Sequence, residues 1–484
     1  MTNADQLVKF VQKQLGDRQF IVAIQREPYQ HEFDGKSMKT KKTAGGAHVL
    51  MDGILRKVGG TMVALGQGTA DAEVVDKKGR VRVPPGQDKY TLKRIFLNEE
   101  EMDGFYFGFA NQTLWPLCHA VFIRPVFTES WWKTYTEVNR KFADAIIEEI
   151  KGDKAFVWIN DYHLALVPQM IKEKKPGVTV GLFWHIPWPT HEIFRICPWR
   201  NKLLNGMLGS DFIGFHRDYH VDNFIRCCRR ELGVLIDTEP RTIIHGRNET
   251  KVSNVPAGSD YHEIIEKLDK TKSVTRKSME KEFGISAQYL AIGVDRIDYT
   301  KGLKSRIQII DRFLEKYPRY IGKFVYLSIG APSRTKIPEY AKFGQELQDL
   351  INTVNAKYAK KEWEPIKFVT NVLPREKIFS YYRLSDVCMV TSLDDGMNLV
   401  AKEYVICTPP SKGMLVISKF TGAAKDLSQA VQINPYDLED SAKQLNTALT
   451  MSSTEKRKRN LAMQEVLREN NIYKWGVDFI KNCF

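Results

Sequence analysis

No stretch of this chain approaches the ~20 consecutive apolar residues that a membrane-spanning helix needs, so no membrane partner is expected. The seven cysteines include no C-x-x-C spacing. That argues against a disulfide framework and a zinc site, and a reducing cytoplasm is the expected compartment. The N-terminal MTNADQLVKFVQKQLGD has the spacing of an amphipathic helix with scattered charges and lacks a signal-peptide core. Repeats and low-complexity tracts are missing too. The histidines are not spaced as metal ligands, and no serine or cysteine sits in a nucleophile elbow. Helix-turn-helix, zinc-finger and RNA-binding signatures are all wanting.

What is present is charge and length. The 72 basic and 58 acidic residues leave a net charge of +14. The basic residues are spread along the chain, with short clusters only at Lys36–Lys42 and Lys456–Arg459. A basic surface suits an enzyme acting on small phosphorylated substrates, which is favoured here over a nucleic-acid partner. A chain of 484 residues exceeds one typical core, and two domains of ~200–250 residues are expected. A composition of 43% hydrophobic and 27% charged residues is that of a globular protein.

Along the chain, FIVAI (20–24) reads as a buried strand, followed by a polar loop. Gly35 to Gly46 carries Lys36, Lys39, Lys41 and Lys42 with no apolar partners to hold them, and is expected to be mobile until anions bind. Residues 69–90, with DKKGR and VPPG, read as an excursion from the core. Val138, Phe142, Ile146 and Ile150 recur at helical spacing. A strand AFVWI (155–159) then ends at Asn160-Asp161, and VTVGLFW ends at His185. Strand, helix, strand with polar residues at the strand ends implies a parallel sheet with ligands at its carboxyl edge. The pattern restarts past residue 250, with strands at YLAIGV, FVYLSI, IKFVT, VCMVT and MLVI. The expected architecture is α/β: two doubly wound domains, 1–256 and 257–484, hinged near Val255–Gly258 and facing each other across a cleft. The segment from Glu455 to Phe484 reads as helix with a break near Asn470-Asn471, and its last part, about 460–484, is expected to pack back on the first domain.

Three places could carry chemistry. In LDDGMNLVAKEYV (393–405), Gly396 permits a tight turn that aims the first amides of the next helix at an anion. Glu403 follows about 10 Å along that helix at ~1.5 Å per residue. A helix end with a carboxylate at ribose distance fits a nucleotide-sugar site; an ordinary amphipathic helix after a turn fits as well. In GVDRIDYTKGL (293–303), Arg296 and Lys301 share one strand-to-helix loop and can face one anion, as the stabilisation of a departing diphosphate requires; surface cations around a helix start are the plainer reading. Asp161 and His185 each end a buried strand of the first domain, where substrate contact competes with a structural histidine.

Together the segments REPY (26), AGG (44), GFANQTLWPLCH (108), NDYHL (160), FWHIPWPTHEIFR (183), GSDFIGFH (209), GVDRIDYTKGL, APSR (331), DDGMNLVAKEYV and SKFTGAA (418) resemble, in order, the trehalose-6-phosphate synthase family. These are retaining glycosyltransferases with two Rossmann-like domains in a GT-B fold. The resemblance implies an acceptor-binding first domain and a nucleotide-sugar-binding second one. Arg296 and Lys301 would hold the donor diphosphate, Glu403 the ribose, and the amides of Leu399 and Val400 the phosphates. Asp395, His185 and the backbone of Gly396-Met397-Asn398 would hold the transferred glucose, with Gly46 under the diphosphate. Arg26, Tyr106, Trp115 and Arg334 would bind the acceptor, chiefly its phosphate, and Asp161 its sugar hydroxyls. Asp161, His185, Arg296, Lys301 and Asp395 form the implied catalytic set. Glucose would move from a nucleoside-diphosphate donor to glucose 6-phosphate with retention. No protein nucleophile, cofactor or metal is implied, and a homo-oligomer is left open.

Three departures stand out. Gln25 replaces the usual asparagine before Arg26, Asn160 replaces the usual histidine before Asp161, and Met62 and Leu65 in GGTMVALGQG replace tryptophans common in trehalose-forming members. That segment reads as a loop near the acceptor sugar. The REPY form also resembles glucosylglycerol-phosphate synthases, which use glycerol 3-phosphate, whereas the AGG loop and the HIPWPTHEIFR segment favour glucose 6-phosphate. A catalytically silent member would usually lose charged donor-site residues, and Arg296, Lys301, Asp395 and Glu403 are all kept.

Overall fold

The computed structural model describes residues 3–43, 45–360 and 362–484. It divides into two compact units, one of Met1–Ala257 with Ile472–Phe484 and one of Gly258–Asn471. Among the described residues, no helix is long and apolar enough to cross a membrane.

The first unit is built on a ten-stranded sheet. Its parallel centre runs in the order Asn248–Asn254, Phe212–Phe215, Thr179–Phe183, Ala155–Asn160, Gln19–Arg26, Thr61–Leu65 and Tyr90–Ile95. The continuous apolar runs of the inner strands follow from helices covering both faces. The Ala155–Asn160 strand, for instance, is buried at every residue. Antiparallel strands extend both edges, Arg80–Val83 on one side and Leu235–Thr238 with Arg241–His245 on the other. The expected excursion at 69–90 is therefore partly sheet, and its Ala70, Asp71 and Val83 are buried.

Two sequence expectations change here. GGTMVALGQG is not all loop: Thr61–Leu65 is an interior strand with Met62 and Leu65 buried, and the loop proper starts at Gly66. Leu65 pairs in register with Arg26. A threonine and four apolar residues between glycines have the composition of either a buried strand or a tight loop, and burial settles which. The polar segment after residue 28 is an antiparallel hairpin, Tyr29–Asp34 with Ser37–Lys42. Two of its lysines have partners. Lys39 meets Asp34 at 3.0 Å, and Lys42 meets the buried Asp52 at 3.0 Å with its Nζ 5.5 Å from the Tyr29 ring centre. Gly46 stands directly before the Ala47–Val58 helix at φ 83°; Ala44, which begins the AGG motif, lies outside the described residues.

Residues Asp103–Leu114 form a twelve-residue π-helix, an unusual length for an element that mostly occurs as single turns at functional sites. The closing helix Ile472–Cys483 belongs to the first unit. Its Trp475 and Phe479 are buried, with Phe479 stacked on Trp158 at 4.1 Å.

The second unit has six parallel strands in the order Ile366–Val369, Phe324–Ala331, Tyr289–Arg296, Val387–Val390, Met414–Ser418 and Val431–Ile433. Two apolar clusters cover its faces, one centred on the Leu399–Cys407 and Arg375–Leu384 helices and one on Leu303–Lys316. The break expected near 470 separates two helices. Ser453–Glu469 remains with the second unit, and the returning segment begins at Ile472.

Candidate functional site

In a doubly wound sheet the crevice opens at the carboxyl ends of the two strands where the winding direction reverses. In the first unit these strands are Gln19–Arg26 and Ala155–Asn160, and their ends present Arg26, Asn160 and Asp161. In the second they are Tyr289–Arg296 and Val387–Val390, followed by the loops that carry Arg296, Lys301 and 391–398.

The second-unit cluster is tightly built. Lys301 Nζ lies 2.6 Å from Asp395 Oδ2. The same carboxylate accepts from Asn398 Nδ2 at 3.0 Å and Ser392 Oγ at 3.2 Å. Leu393 N donates to Thr300 O at 2.8 Å, which joins the two loops through their backbones. Gly302 is required at this junction, because it has φ +61° and a Cβ there would lie 2.0 Å from Thr391 O. Behind them, buried Arg306 donates to Thr391 Oγ1, Tyr326 OH and Asp295 Oδ2 at 2.7–2.9 Å. Asn398 caps the Leu399–Cys407 helix, accepting from Ala401 N at 3.0 Å, and holds φ 80°. The helix amides of Leu399 and Val400 therefore start immediately beyond the Gly396-Met397-Asn398 turn. Glu403, one turn on, is bound by the guanidinium of Arg375, a residue that sequence reasoning passed over.

Arg296 Nη2 lies 3.8 Å from Asp298, and Arg334 Nη1 lies 3.3 Å from the same carboxylate. Burial opposes ionisation of Asp298, but Arg334, Arg296 and Lys301 outweigh it and hold its carboxyl below the usual range. Arg334 Nη1 also donates to Tyr340 OH at 2.5 Å. The structure thus brings Arg296, Lys301, Asp395 and Arg334 into one network through Asp298 and the 298–301 turn.

In the first unit, Asp161 has φ 74°. Its N–H donates to Phe183 O at 2.8 Å, and its Oδ1 accepts from His185 N at 3.2 Å. Non-glycine residues at positive φ persist where surrounding contacts over-determine them. Of the five such residues described, Asp88, Phe122, Asp161, Arg334 and Asn398, three belong to the expected site. Burial pushes the His185 imidazole down to about 3, so it is neutral at physiological pH. Asn160 is fully buried, and its Oδ1 lies 3.0 Å from His185 Nε2. The residues after Asp161 are packed between the two aromatic candidates: the Trp115 ring lies 5.8 Å from Tyr162, and Tyr106 stacks on His163 at 5.9 Å. The π-helix positions Tyr106, and Trp115 follows at its end.

Two doubly wound units, each with charged loops at its switch point, give the GT-B fold of nucleotide-sugar glycosyltransferases. Residues 17–483 match the model of glycosyltransferase family 20, and the chain belongs to that family. It is 33% identical over 479 residues to the trehalose-6-phosphate synthase of Mycobacterium marinum, covering 96% of this chain and 93% of that protein. It is 34% identical over 392 residues to the alpha,alpha-trehalose-phosphate synthase [UDP-forming] A of Dictyostelium discoideum, covering 81% of this chain and 53% of that protein; the chain thus spans about half the length of that relative. Among solved structures, an alpha,alpha-trehalose-phosphate synthase (UDP-forming) from Burkholderia xenovorans in complex with glucose-6-phosphate aligns with TM-score 0.85 at 28% identity, covering 96% of this chain and 100% of that one.

Proposed function

We propose that this protein transfers glucose from UDP-glucose to glucose 6-phosphate, retaining the anomeric configuration and giving trehalose 6-phosphate. The observation that carries this reading is the preorganised cation pair of the second unit, Arg296 and Lys301, set at the switch point beside the start of the Leu399–Cys407 helix. Bond cleavage at the sugar puts negative charge on the departing diphosphate. Fixed cations and helix-end amides stabilise that charge without having to reorganise. Glu403 holds the donor ribose, and Asp395, His185 and the 396–398 backbone hold the glucose. The acceptor attacks from the leaving-group face, and its proton passes to the departing phosphate. Arg26 and Arg334 bind the acceptor phosphate, with Tyr106 and Trp115 beside it, and Asp161 takes its hydroxyls. UDP is favoured among donors because related proteins carry that specificity in their names.

The test is a product assay that crosses UDP-, GDP- and ADP-glucose with glucose 6-phosphate and glycerol 3-phosphate. Trehalose 6-phosphate formed fastest from UDP-glucose is expected. A product formed mainly from glycerol 3-phosphate would make the protein a glucosylglycerol-phosphate synthase instead, and no product from any pair would remove the catalytic reading.

A further inference from the structure

The residue before Asp161 is an asparagine whose environment fixes which way its amide faces. Asn160 is fully buried at the end of its strand. Its Nδ2 donates to two carbonyls, Ala23 O and Trp158 O, each at 3.4 Å. Turning the amide over would set its oxygen against both carbonyl oxygens and leave the NH2 group toward the imidazole. The observed orientation therefore leaves Oδ1, which can only accept, 3.0 Å from His185 Nε2. An acceptor at that position requires the proton on Nε2. The neutral ring then carries its lone pair on Nδ1, to which no group among the described residues is bonded, and His185 is only partly buried.

We propose that Asn160 is a positioning residue that locks His185 as the Nε2–H tautomer, so that His185 accepts, through Nδ1, a hydrogen bond from a sugar hydroxyl. The hydroxyl half of this inference rests on the glucosyl-transfer reading above; the tautomer half does not. The neighbouring groups agree with it. The Asp161 carboxylate is engaged by the His185 backbone N–H rather than by the ring. The rings around the imidazole are Phe183, His216 and Trp475, at centroid distances of 4.6, 5.5 and 5.9 Å. They supply no carboxylate that would favour the imidazolium. A neutral imidazole with one lone pair discriminates between a hydroxyl that donates and a substituent that can only accept.

Two measurements test this. In the full-length protein labelled with 15N-histidine, the His185 signals, assigned by their loss in His185→Ala, should show a pyrrole-type Nε2 and a pyridine-type Nδ1 at neutral pH. The reverse pattern would overturn the tautomer assignment whatever the enzyme's activity. The second uses donors in which each glucose hydroxyl is replaced in turn by hydrogen or by fluorine. At one position both replacements should cost about the same, roughly tenfold in kcat/KM, because fluorine cannot donate. Fluorine retaining activity at every position where hydrogen does not would mean that His185 donates, and would overturn the proposal. In Asn160→Leu, close to Asn in size, the two nitrogen signals should move toward intermediate values and the deoxy and fluoro penalties at that position should shrink together. Unchanged signals and unchanged penalties would assign Asn160 a packing role only. Should that variant not fold, the wild-type spectrum and donor series still decide.

Discussion

The Lys301 ammonium rests on the Asp395 carboxylate at 2.6 Å, so the cation proposed to receive the donor diphosphate already has an anion for a partner. Asp395 keeps two further donors, Asn398 and Ser392. Removing the lysine therefore leaves the carboxylate solvated by its neighbours. Lys301→Ala, and likewise Arg296→Ala, should lower turnover by ~10²-fold or more, while the Lys301→Ala melting temperature stays near that of the parent. Initial rates at saturating substrates, paired with calorimetry, check this; near-parental turnover in both variants would detach the pair from the leaving group.

Glu403 and Arg375 should behave as one unit. The guanidinium holds the Glu403 carboxylate, which is proposed to bind the donor ribose, and Arg375 also lies 5.1 Å over the Phe379 ring. Glu403→Gln should weaken donor binding by about tenfold, the scale of a charge-assisted hydrogen bond. Arg375→Ala should do the same with little further loss in the double variant, since coupled residues are non-additive. Titration calorimetry with UDP gives the numbers, and additive losses would show that Arg375 acts elsewhere.

The acceptor should need its phosphate. Arg334 is held at φ 53° with its side chain buried against Asp298 and Tyr340, a placement that backbone strain would oppose without compensating contacts. A charge-assisted contact is worth roughly 1.5–3 kcal/mol, or about 10- to 150-fold. Free glucose should be a poorer acceptor than glucose 6-phosphate by at least that margin, and Arg334→Ala should erase most of the preference. Equal rates with the two acceptors in the parent enzyme would end this assignment.

Acid should destabilise the first unit. Burial lowers the pKa of His185 from 6.5 to about 3 and that of His220 to about 4. His220 Nδ1 accepts from Trp188 N at 2.8 Å, a bond only the unprotonated nitrogen can make. Each group binds a proton more readily in the unfolded chain. The stability it contributes is complete above pH 6.5 and is lost as pH falls through about 4 and about 3. Melting temperatures measured from pH 7 downward should fall, and His220→Gln should flatten that fall. An identical decline in the variant would place the acid sensitivity on other groups.

Trp475 closes the underside of the first sheet, with its ring 5.0 Å from both Trp158 and Phe183. Trp475→Ala should cost about 3–5 kcal/mol. Urea unfolding followed by tryptophan fluorescence reads the loss; a cost below ~1 kcal/mol would mean that the helix is only loosely attached, since cavities in a packed core are felt.

The parts of this fold legible in the sequence are those where one signal dominates. Phe20–Ile24 and Phe156–Ile159 are uninterrupted apolar runs because both faces of their strands are covered. Thr61–Leu65 has the same character but is short and flanked by glycines, so its turn signals mask the strand. GFYFGFANQTL carries no 3.6-residue stripe because the helix it forms is not α and buries residues all around. At the site, Arg296, Lys301 and Glu403 were legible because motif and charge coincide. Arg375 was not, since a lone arginine beginning an unremarkable helix gains meaning only from the carboxylate folded against it. Asn160 was noticed as a departure, but its orientation depends on a carbonyl of its own strand, Trp158, and on one, Ala23, from a strand 137 residues away.

The return of Ile472–Cys483 to the first unit also sets a timetable. A Cβ at Gly181 would lie 2.9 Å from the Phe479 ring, so that helix is seated directly on the sheet. On a ribosome adding ~5–20 residues per second, the strands through Ala257 emerge roughly 10–40 s before the helix that covers them. The unit made first is therefore finished last, and the second unit has the whole interval in which to fold. Through that interval Trp158 and Phe183 lack the Trp475 and Phe479 rings that pack on them, a surface on which a nascent chain would benefit from a chaperone.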